Sequence, residues 1–440
     1  MAAIGAAMAV VARIVTLLAS GVLGHGAAVP LPPRGVDLLS FAAQGGGKLP
    51  SIAFGTAGVR DSAVFSAALE VGFRHFDTAL IYGNQVALGE ALRQRRIWRE
   101  EAFITTKVAF LPELSAPWRW FFDALYGQGA GLAASAGKGS ERLALKHSRE
   151  ELGVAQLDLC LLHSPLAGGM SELLAAYLPH RLGRFKPAMW PRLRAVAPQV
   201  RFLLRRFAAA VGLSGAEGAA IRSRAWAAME AAWAAGECRY IGVSNYDVRL
   251  LRELEKTATV LPAVNQIEHH ARFQAHATVE HCRARGIAVM AYGNGVASQH
   301  PVVSQVAANH SISPAQATLH WLLRKGIGAV VKSQRPEGMV QNLHAANLTL
   351  ASMAMETLSA LDEGLPFYWD AGAVAVASDV LDEPAPPIHE QDRVNDGFTT
   401  LLEQVDSAIN EVARRLDQVV NAVNAAIDYT VNAIALAAGL

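Results

Sequence analysis

Polar and titratable residues recur at one kind of position in this 440-residue sequence, the end of a short apolar run. They are Asp77, Lys107, His163, Ser244, Asn245, Gln266, Glu268, Tyr292, Lys332 and Ser333. A carboxylate, an ammonium, an imidazole or a phenol at such a position can hold, accept or donate a proton. One such residue is more often structural, but many polar groups at the same end of neighbouring strands are difficult to bury without a shared aqueous site. The pattern therefore predicts one polar site built from strand ends.

Eight apolar runs of strand length carry these residues, and several runs are continuously apolar, which is typical of parallel strands buried on both faces. The predicted strands are Ser51–Gly55, Arg74–Thr78, Phe103–Val108, Leu157–His163, Arg239–Ser244, Ala263–Glu268, Ala288–Tyr292 and Gly328–Ser333. The predicted helices between them are Asp61–Val71, Val86–Arg93, Glu141–Leu152, Arg222–Ala235, Val248–Lys256, Thr278–Arg285 and Pro314–Lys325. Strands alternating with helices predict an α/β fold, a (β/α)8 TIM barrel whose active site lies at the C-terminal ends of the strands. An open doubly wound sheet is the alternative, but no G-x-G-x-x-G motif follows the first run.

The composition is that of a globular protein with a core. Hydrophobic residues make up 52% and charged residues 18%, which excludes general disorder. The length fits two or three domains or one extended barrel. A net charge of +1 argues against a chain built to coat nucleic acid. The three cysteines, an odd count, predict that no disulfide framework holds the fold, and Cys160 is interpreted as a small core residue.

Four segments follow from the distribution of charge and proline. Residues 1–36 contain no acid and a long apolar run, Ala2–Leu23, which is typical of a signal peptide, a membrane anchor or an organelle transit peptide. An alanine-rich extension without a targeting role, in an otherwise cytoplasmic protein, is the remaining interpretation. The barrel is predicted over 48–382, followed by a proline-rich linker over 383–397 and an amphipathic helix over 398–440.

Two loops of the predicted barrel are enlarged, those after its third and fourth strands, Val108–Ser140 and Ser164–Ile221. The second has no acid between Glu172 and Glu217 but holds Arg181, Arg184, Lys186, Arg192, Arg194, Arg201, Arg205 and Arg206. This basic insertion can cover the active site as a lid, contact acidic substrates or contact an anionic membrane surface. A solvated helical excursion is the alternative.

The C-terminal helix carries an apolar seam spaced alternately by four and three residues. Its members are Phe398, Leu402, Val405, Ile409, Val412, Leu416, Val419 and Val423. A helix to Ala438 would be roughly 60 Å long at ~1.5 Å per residue, too long to lie fully buried on one barrel. The seam predicts a coiled coil between subunits. Packing on the barrel's own surface and association with a membrane are the alternatives.

Five separate motifs together resemble the aldo-keto reductase family, in the order that the family has them and over about residues 48–365. They are Gly72-Phe-Arg-His-Phe-Asp-Thr-Ala-Leu-Ile-Tyr-Gly-Asn84, Ile104-Thr-Thr-Lys107, Leu157-Asp-Leu-Cys-Leu-Leu-His163, Ile241-Gly-Val-Ser-Asn245 and Val264-Asn-Gln-Ile-Glu268. Among subgroups the sequence is most similar to the bacterial and plant diketogluconate and xylose reductases. The resemblance implies an eight-stranded barrel and NADPH-dependent reduction of an aldehyde or ketone to an alcohol.

The resemblance also implies a catalytic tetrad of Asp77, Tyr82, Lys107 and His163. The chemistry of these groups is consistent with that role. A tyrosine hydroxyl with a pKa near ~10 is a poor acid at neutral pH unless a nearby cation stabilises the phenolate. Lys107 can supply that charge, Asp77 can hold the ammonium, and His163 can orient the substrate carbonyl.

For the cofactor, the resemblance implies NADPH in an extended form, held by Gly55, Thr56, Ser244, Asn245, Gln266, Tyr292, Lys332, Ser333, Arg335 and Asn342. Ser244, Asn245 and Gln266 would bind the carboxamide, and Tyr292 would stack on the nicotinamide. Lys332, Ser333 and Arg335 would meet the 2′-phosphate, and Asn342 the adenine.

The sequence departs from the family at the cofactor segment. Gly338 stands where an arginine is expected, Gln341 where an acid is usual, and Gly293-Asn-Gly295 replaces the familiar loop after Tyr292. Arg335 can still reach a phosphate as a charge-assisted donor. A cofactor-binding regulatory or scaffold subunit on the same barrel is therefore one alternative function. A membrane-surface protein, in which the basic insertion and the terminal helices dominate, is another. His269 and His270 lack further ligands at metal spacing, so no metal site is predicted.

Overall fold

Parallel strands close on themselves in the computed structural model, which describes residues 38–97, 99–108, 140–165, 215–364 and 366–368. In these residues eight strands form a closed barrel, in which each strand pairs with the next along the chain and the last pairs with the first. A separate antiparallel hairpin joins β1 (Leu38–Phe41) to β2 (Gly47–Pro50). The barrel strands are β3 (Ile52–Gly55), β4 (His75–Asp77), β5 (Phe103–Val108), β6 (Leu157–Leu162), β7 (Cys238–Ser244), β8 (Val264–Glu268), β9 (Ala288–Tyr292) and β10 (Gly328–Val331).

Helices follow the strands and cover the outside of the barrel. They are α1 (Ser62–Val71), α2 (Gln85–Gln94), α3 (Glu141–Leu152), α4 (Gly215–Ala234), α5 (Val248–Glu255), α6 (His276–Ala284), α7 (Pro301–Asn309), α8 (Pro314–Arg324), α9 (Pro336–His344) and α10 (Ser352–Ser359). Side chains define several helix starts. Asp61 accepts a hydrogen bond from the Ala63 amide at 2.9 Å before α1, and Ser313 forms a capping box with Gln316 before α8.

Alternation along the strands divides the core into two layers. On β6, Leu159 and Leu161 pack inside the barrel together with Phe41 and Leu49 of the hairpin. Cys160 and Leu162 face the other way and pack in the layer between sheet and helices. Because successive strand residues point to opposite faces, each barrel strand supplies both layers.

The prediction of a (β/α)8 TIM barrel is confirmed, and all eight predicted strands are present. Two of them, Phe103–Val108 and Ala288–Tyr292, have the predicted bounds, and the others differ by one or two residues at an end. The sequence pattern predicted neither the hairpin β1–β2 nor the helices α7, α9 and α10. The hairpin strands have four residues each, too few to show a clear alternation of apolar and polar residues.

The sequence predicts no disulfide framework and interprets Cys160 as a small core residue, and one pair of cysteines corrects both expectations. The structure joins Cys160 of β6 to Cys238 of β7, with a Cα–Cα distance of 6.0 Å. Both residues lie in the buried layer beneath the helices, on adjacent strands. The two cysteines are 78 residues apart in sequence, so only the pairing of β6 with β7 brings them together. Cys282 is a buried free thiol.

Several predicted segments lie outside the described residues. They include the apolar segment 1–36, nearly all of the two enlarged loops, the linker 383–397 and the amphipathic helix 398–440. Within the described part of the chain, no helix is both long enough and apolar enough to cross a membrane.

Buried histidines make the stability of this barrel depend on pH. His75 of β4 lies between the Pro50 carbonyl and the Thr105 hydroxyl, each 2.9 Å from a ring nitrogen. Burial lowers the pKa of His75 to about 4, from 6.5. The unfolded chain therefore binds more protons than the folded chain between these values, and stability falls as the pH falls from 6.5 to 4.

We expect His75 alone to account for about 3 kcal/mol of that loss, at 1.36 kcal/mol for each pKa unit. The measurement is the free energy of unfolding by urea at several pH values, for the native chain and for His75→Gln. The native chain should lose more stability across this interval than the variant does. Parallel curves for the two proteins would mean that His75 does not cause the dependence.

Candidate active site

The C-terminal ends of the barrel strands bring the predicted polar residues to one rim. Parallel pairing sets Asp77 beside Gly55 and Thr105, Ser244 beside Gln266, and Glu268 beside Tyr292. The apolar residues of each strand are mostly buried, on both of its faces. The polar residue at the strand end lies beyond these buried layers and reaches the rim. This rim is the face on which TIM-barrel enzymes carry their active sites.

Lys107 and Asp77 form a buried ion pair at the centre of this rim. The Lys107 ammonium lies 2.5 Å from Asp77 Oδ1 and also donates to the Thr78 carbonyl at 3.1 Å. Burial opposes the charge on Lys107, but Asp77 and Tyr82 beside it outweigh burial, so the pKa of Lys107 is raised. The ammonium therefore stays charged at neutral pH, about 1% exposed to solvent.

Tyr82 reaches the same point from a single 3-10 turn, Leu80–Tyr82, which Gly83 ends with a left-handed φ of 62°. The Lys107 ammonium lies 5.3 Å from the centre of the Tyr82 ring. Removal from bulk water raises the pKa of Tyr82, while the charge of Lys107 acts in the opposite direction. The phenol is thus protonated at neutral pH, with a cation beside it.

His163, directly after β6, packs against the ring of Tyr82. The two rings lie edge to face, with centroids 5.7 Å apart and an interplanar angle of 80°. Burial, with a smaller effect of Lys107, lowers the pKa of His163 to about 3, so the imidazole is neutral at pH 7. Its Nδ1 has no hydrogen-bond partner among the described residues. A neutral imidazole carries one N–H, which can donate a hydrogen bond to a substrate oxygen.

A cluster of amides and hydroxyls adjoins these four residues. Tyr292 donates its hydroxyl to Asn245 Oδ1 at 2.7 Å, and the Asn245 amide donates to the His163 carbonyl at 2.9 Å. Ser244 donates to the Gln266 carbonyl, and Gln266 Nε2 donates to Asp77 Oδ2 at 2.7 Å. Gln266 therefore links the predicted carboxamide site to the buried ion pair, a link that the sequence did not show.

The residues predicted for the phosphate end lie in the loop after β10 and the first turns of α9. Lys332 donates to the Ala57 carbonyl at 3.1 Å, and Ser333 Oγ contacts both backbone groups of Arg335. Lys332 and Arg335 are exposed, whereas Asn342 is buried on α9. A Cβ at Gly338, in the first turn of α9, would approach Ser333 Oγ to 2.5 Å, so a larger residue there would displace the Ser333 side chain.

Gly55, the last residue of β3, and Thr56, which follows it, lie at the same rim. A Cβ on Gly55 would lie 2.8 Å from the Val330 side chain, so a larger residue would disturb β10. Asn84 fixes this loop by donating to the carbonyls of Thr56 and Val59, a role that its place in the first motif did not reveal. The Thr56 hydroxyl is buried with no partner among the described residues.

The donor set fits a nicotinamide dinucleotide. The amide and hydroxyl groups of Ser244, Asn245 and Gln266 match the hydrogen-bonding pattern of a carboxamide, and the Tyr292 ring offers an aromatic face beside them. The unpartnered Thr56 hydroxyl and the exposed cations Lys332 and Arg335 are groups that sugar and phosphate oxygens bind.

His269 and His270 serve the packing beside this rim. The His269 ring stacks on Trp321, with centroids 5.7 Å apart, and His270 Nε2 lies 3.1 Å from Glu268 Oε1. In the described part of the chain, no three His, Cys, Asp or Glu side chains are grouped as metal ligands.

Most of the barrel sequence matches one protein family. A family model described as "Aldo/keto reductase family" matches residues 59–295 and 296–363. A protein of Aspergillus terreus named a probable NAD(P)H-dependent D-xylose reductase is 31% identical over 321 residues, covering 68% of this chain and 85% of its own length. The pig protein named aldo-keto reductase family 1 member A1 is 28% identical, covering 73% of this chain and 89% of its own.

Solved structures share the architecture. The crystal structure of an aldo/keto reductase from Brucella melitensis superimposes with a TM-score of 0.54 at 23% identity, covering 74% of this chain and all of that one. The aldose reductase from Schistosoma japonicum gives a TM-score of 0.53 at 24% identity, covering 73% of this chain and 92% of its own. At these identities the likeness shows the fold.

Proposed function

The chain belongs to the aldo/keto reductase family, and we propose that it reduces the carbonyl group of a small molecule with NADPH at the rim described above. The observation that carries this proposal is the position of a buried, charged Lys107, paired with Asp77 and 5.3 Å from the Tyr82 ring. The proposed catalytic residues are Asp77, Tyr82, Lys107 and His163.

Tyr82 supplies the proton to the substrate oxygen. Its hydroxyl is protonated before the reaction because burial disfavours the phenolate. When the proton passes to the substrate oxygen, the negative charge on the Tyr82 oxygen forms beside the Lys107 ammonium, which stabilises it. Asp77 keeps that ammonium in place, so the charge does not have to be assembled during the reaction.

His163 orients the substrate. A neutral imidazole at pH 7 can donate a hydrogen bond to the carbonyl oxygen without competing with Tyr82 as an acid. The oxygen is then held between the ring of His163 and the hydroxyl of Tyr82. This fixes the carbonyl in one orientation, which lowers the entropic part of the barrier.

NADPH, when bound, supplies the hydride for the carbonyl carbon. We propose that Ser244, Asn245 and Gln266 hold its carboxamide and that Tyr292 supports the nicotinamide ring. Gly55, Thr56, Lys332, Ser333, Arg335 and Asn342 are the proposed residues for the rest of the dinucleotide. The bond from Gln266 to Asp77 links the proposed cofactor site to the carboxylate that holds Lys107.

The assay for this function follows NADPH absorbance with a panel of benzaldehyde, glyceraldehyde and D-xylose. The relatives named as D-xylose reductases support the choice of a sugar in the panel. Consumption of NADPH that depends on the carbonyl supports a reductase. Tight NADPH binding without consumption for any carbonyl would contradict the proposal and favour a cofactor-binding scaffold, which the departure at Gly338 first raised.

The phosphate end gives a prediction about cofactor choice. Only NADPH carries the 2′-phosphate, and a charge-assisted hydrogen bond to it is worth roughly 1.5–3 kcal/mol. Lys332→Ala and Arg335→Ala should therefore each raise the Kd for NADPH about tenfold. The Kd for NADH should rise less than about twofold. Kd values from the quenching of tryptophan fluorescence measure both cofactors. Arg324→Ala, which removes an exposed cation from α8, is the control. Equal losses for NADPH and NADH would show that this loop does not read the 2′-phosphate.

We also propose that the heptad seam over 398–423 joins two or more copies of the chain as a coiled coil. Light scattering should give an oligomeric mass for the full protein and a monomeric mass for a chain ending at Asp392. The apolar seam is the reason, because seven-residue spacing keeps one face against a partner helix. Monomeric masses for both proteins would rule out the coiled coil.

A further inference from the structure

Glu268 is a buried carboxylate at the rim with no part in the chemistry described above. It is the last residue of β8, two residues beyond Gln266, and it pairs with Tyr292 of β9. Its exposure is 3%. Since residues two apart on a strand share a face, Glu268 lies on the face of β8 that carries Gln266.

The Glu268 carboxylate binds the backbone of a segment that returns to the rim 99 residues later in the chain. The Phe367 amide donates to Oε1 at 2.6 Å, and the Tyr368 amide donates to Oε2 at 2.7 Å. His270 Nε2 lies 3.1 Å from Oε1. A carboxylate that accepts two backbone N–H groups on separate oxygens fixes both their position and their direction.

Further contacts hold the same segment, here named the strap and defined as residues 362–364 and 366–368. The Arg272 guanidinium donates two hydrogen bonds to the Glu363 carboxylate, each 2.9 Å long, and lies 4.4 Å from the centre of the Phe367 ring. The Glu363 amide donates to the Arg272 carbonyl. The strap is therefore anchored at one end by Arg272 and at the other by Glu268.

This anchoring places Tyr368 beside the cofactor-binding residues. The Tyr368 and Tyr292 rings have centroids 6.1 Å apart and an interplanar angle of 60°. A Cβ on Gly293 would come within 3.0 Å of the Tyr368 ring, so the glycine makes room for it. The Tyr368 side chain remains 39% exposed, at the solvent edge of the rim.

We propose that Glu268 is a positioning residue that holds the Tyr368 ring as an aromatic wall of the substrate entrance. Because the wall presents an aromatic ring next to Tyr292, it selects aldehydes with a flat aromatic or apolar group over hydroxylated aliphatic aldehydes. This inference rests on the proposed function for its consequence in catalysis, and on the contacts of Glu268 for its structural part.

The first experiment measures hydrogen–deuterium exchange in the peptide that contains Phe367 and Tyr368, in the full chain without substrate. Both amides should be protected in the native protein and exchange at least about tenfold faster in Glu268→Gln, because the side-chain amide turns an N–H₂ group toward one of them. Glu230→Gln is the matched control, since Glu230 also accepts two backbone amides, those of Thr259 and Val260, away from the strap. It should leave the exchange of the strap unchanged.

The second experiment measures KM and kcat for benzaldehyde and for glyceraldehyde. Glu268→Gln and Tyr368→Ala should each raise the KM for benzaldehyde about tenfold, and change the KM for glyceraldehyde and kcat less than about twofold. The double variant should match Tyr368→Ala alone, because Glu268 acts through that ring. NADPH affinity should be unchanged in all three.

The outcomes separate the two proposals. Any one of three results would overturn the role of Glu268. They are rapid exchange of the strap amides in the native protein, an equal rise in KM for both aldehydes, and additive effects in the double variant. If no carbonyl is reduced by the native chain while the strap exchange responds to Glu268→Gln, the failure lies in the proposed function and the anchoring stands.

Discussion

Tyr82→Phe should lower kcat at least about 100-fold while NADPH affinity changes less than about twofold. The hydroxyl is the proton donor in the proposed reaction, and loss of a general acid has at least this effect. The phenyl ring retains the edge-to-face contact with His163, so the shape of the site should be preserved. Steady-state kinetics with benzaldehyde and NADPH titrations measure the two quantities.

Tyr246→Phe is the matched control for this change. Its hydroxyl is buried with no hydrogen-bond partner among the described residues, and its removal should leave kcat within about twofold. A Tyr82→Phe protein that keeps full activity on several carbonyls would remove Tyr82 from the mechanism.

Lys107→Met should have the second-largest effect, on both activity and stability. Without the ammonium, nothing stabilises the Tyr82 phenolate, so kcat should fall at least about 100-fold. The Asp77 carboxylate, 3% exposed, would also lose its partner cation. Breaking a buried ion pair from one side costs about 3–5 kcal/mol of unfolding free energy, which urea denaturation measures.

The double variant Lys107→Met, Asp77→Asn distinguishes the two effects. Its neutral amide needs no counter-charge, so most of the stability should return, while activity should not. Recovery of activity together with stability would mean that Lys107 acts only by supporting the fold.

Much of the barrel was predictable because its strands are buried on both faces. A continuous apolar run such as Ala288–Tyr292 is stable only where both of its faces are buried, as in a central parallel strand, and parallel pairing then brings the polar residues at the strand ends to one rim. The positions of Asp77 and Lys107 thus follow from strand ends alone. Tyr82 was harder to place, since it lies on a 3-10 turn, and only the family resemblance identified it beforehand.

Contacts between distant segments were beyond the sequence. The Cys160–Cys238 bond depends on the pairing of β6 with β7, and an odd number of cysteines gave the wrong expectation. The contacts of Glu268 with the Phe367 and Tyr368 amides use backbone groups, which every residue except proline carries. The residue types of the strap therefore could not predict these contacts. The link from Gln266 to Asp77, across 189 residues, is of the same kind.

Transfer of hydrogen from NADPH to the carbonyl carbon is the most direct test of the proposed reduction. NADPH with both hydrogens on the reactive carbon of the nicotinamide replaced by deuterium is incubated with benzaldehyde and the full chain, and the benzyl alcohol is examined by mass spectrometry. With the native chain the alcohol should carry the label, and Tyr82→Phe should form at least about 100-fold less labelled alcohol in the same time. No alcohol, or alcohol without the label, would contradict reduction of a carbonyl by NADPH at this site.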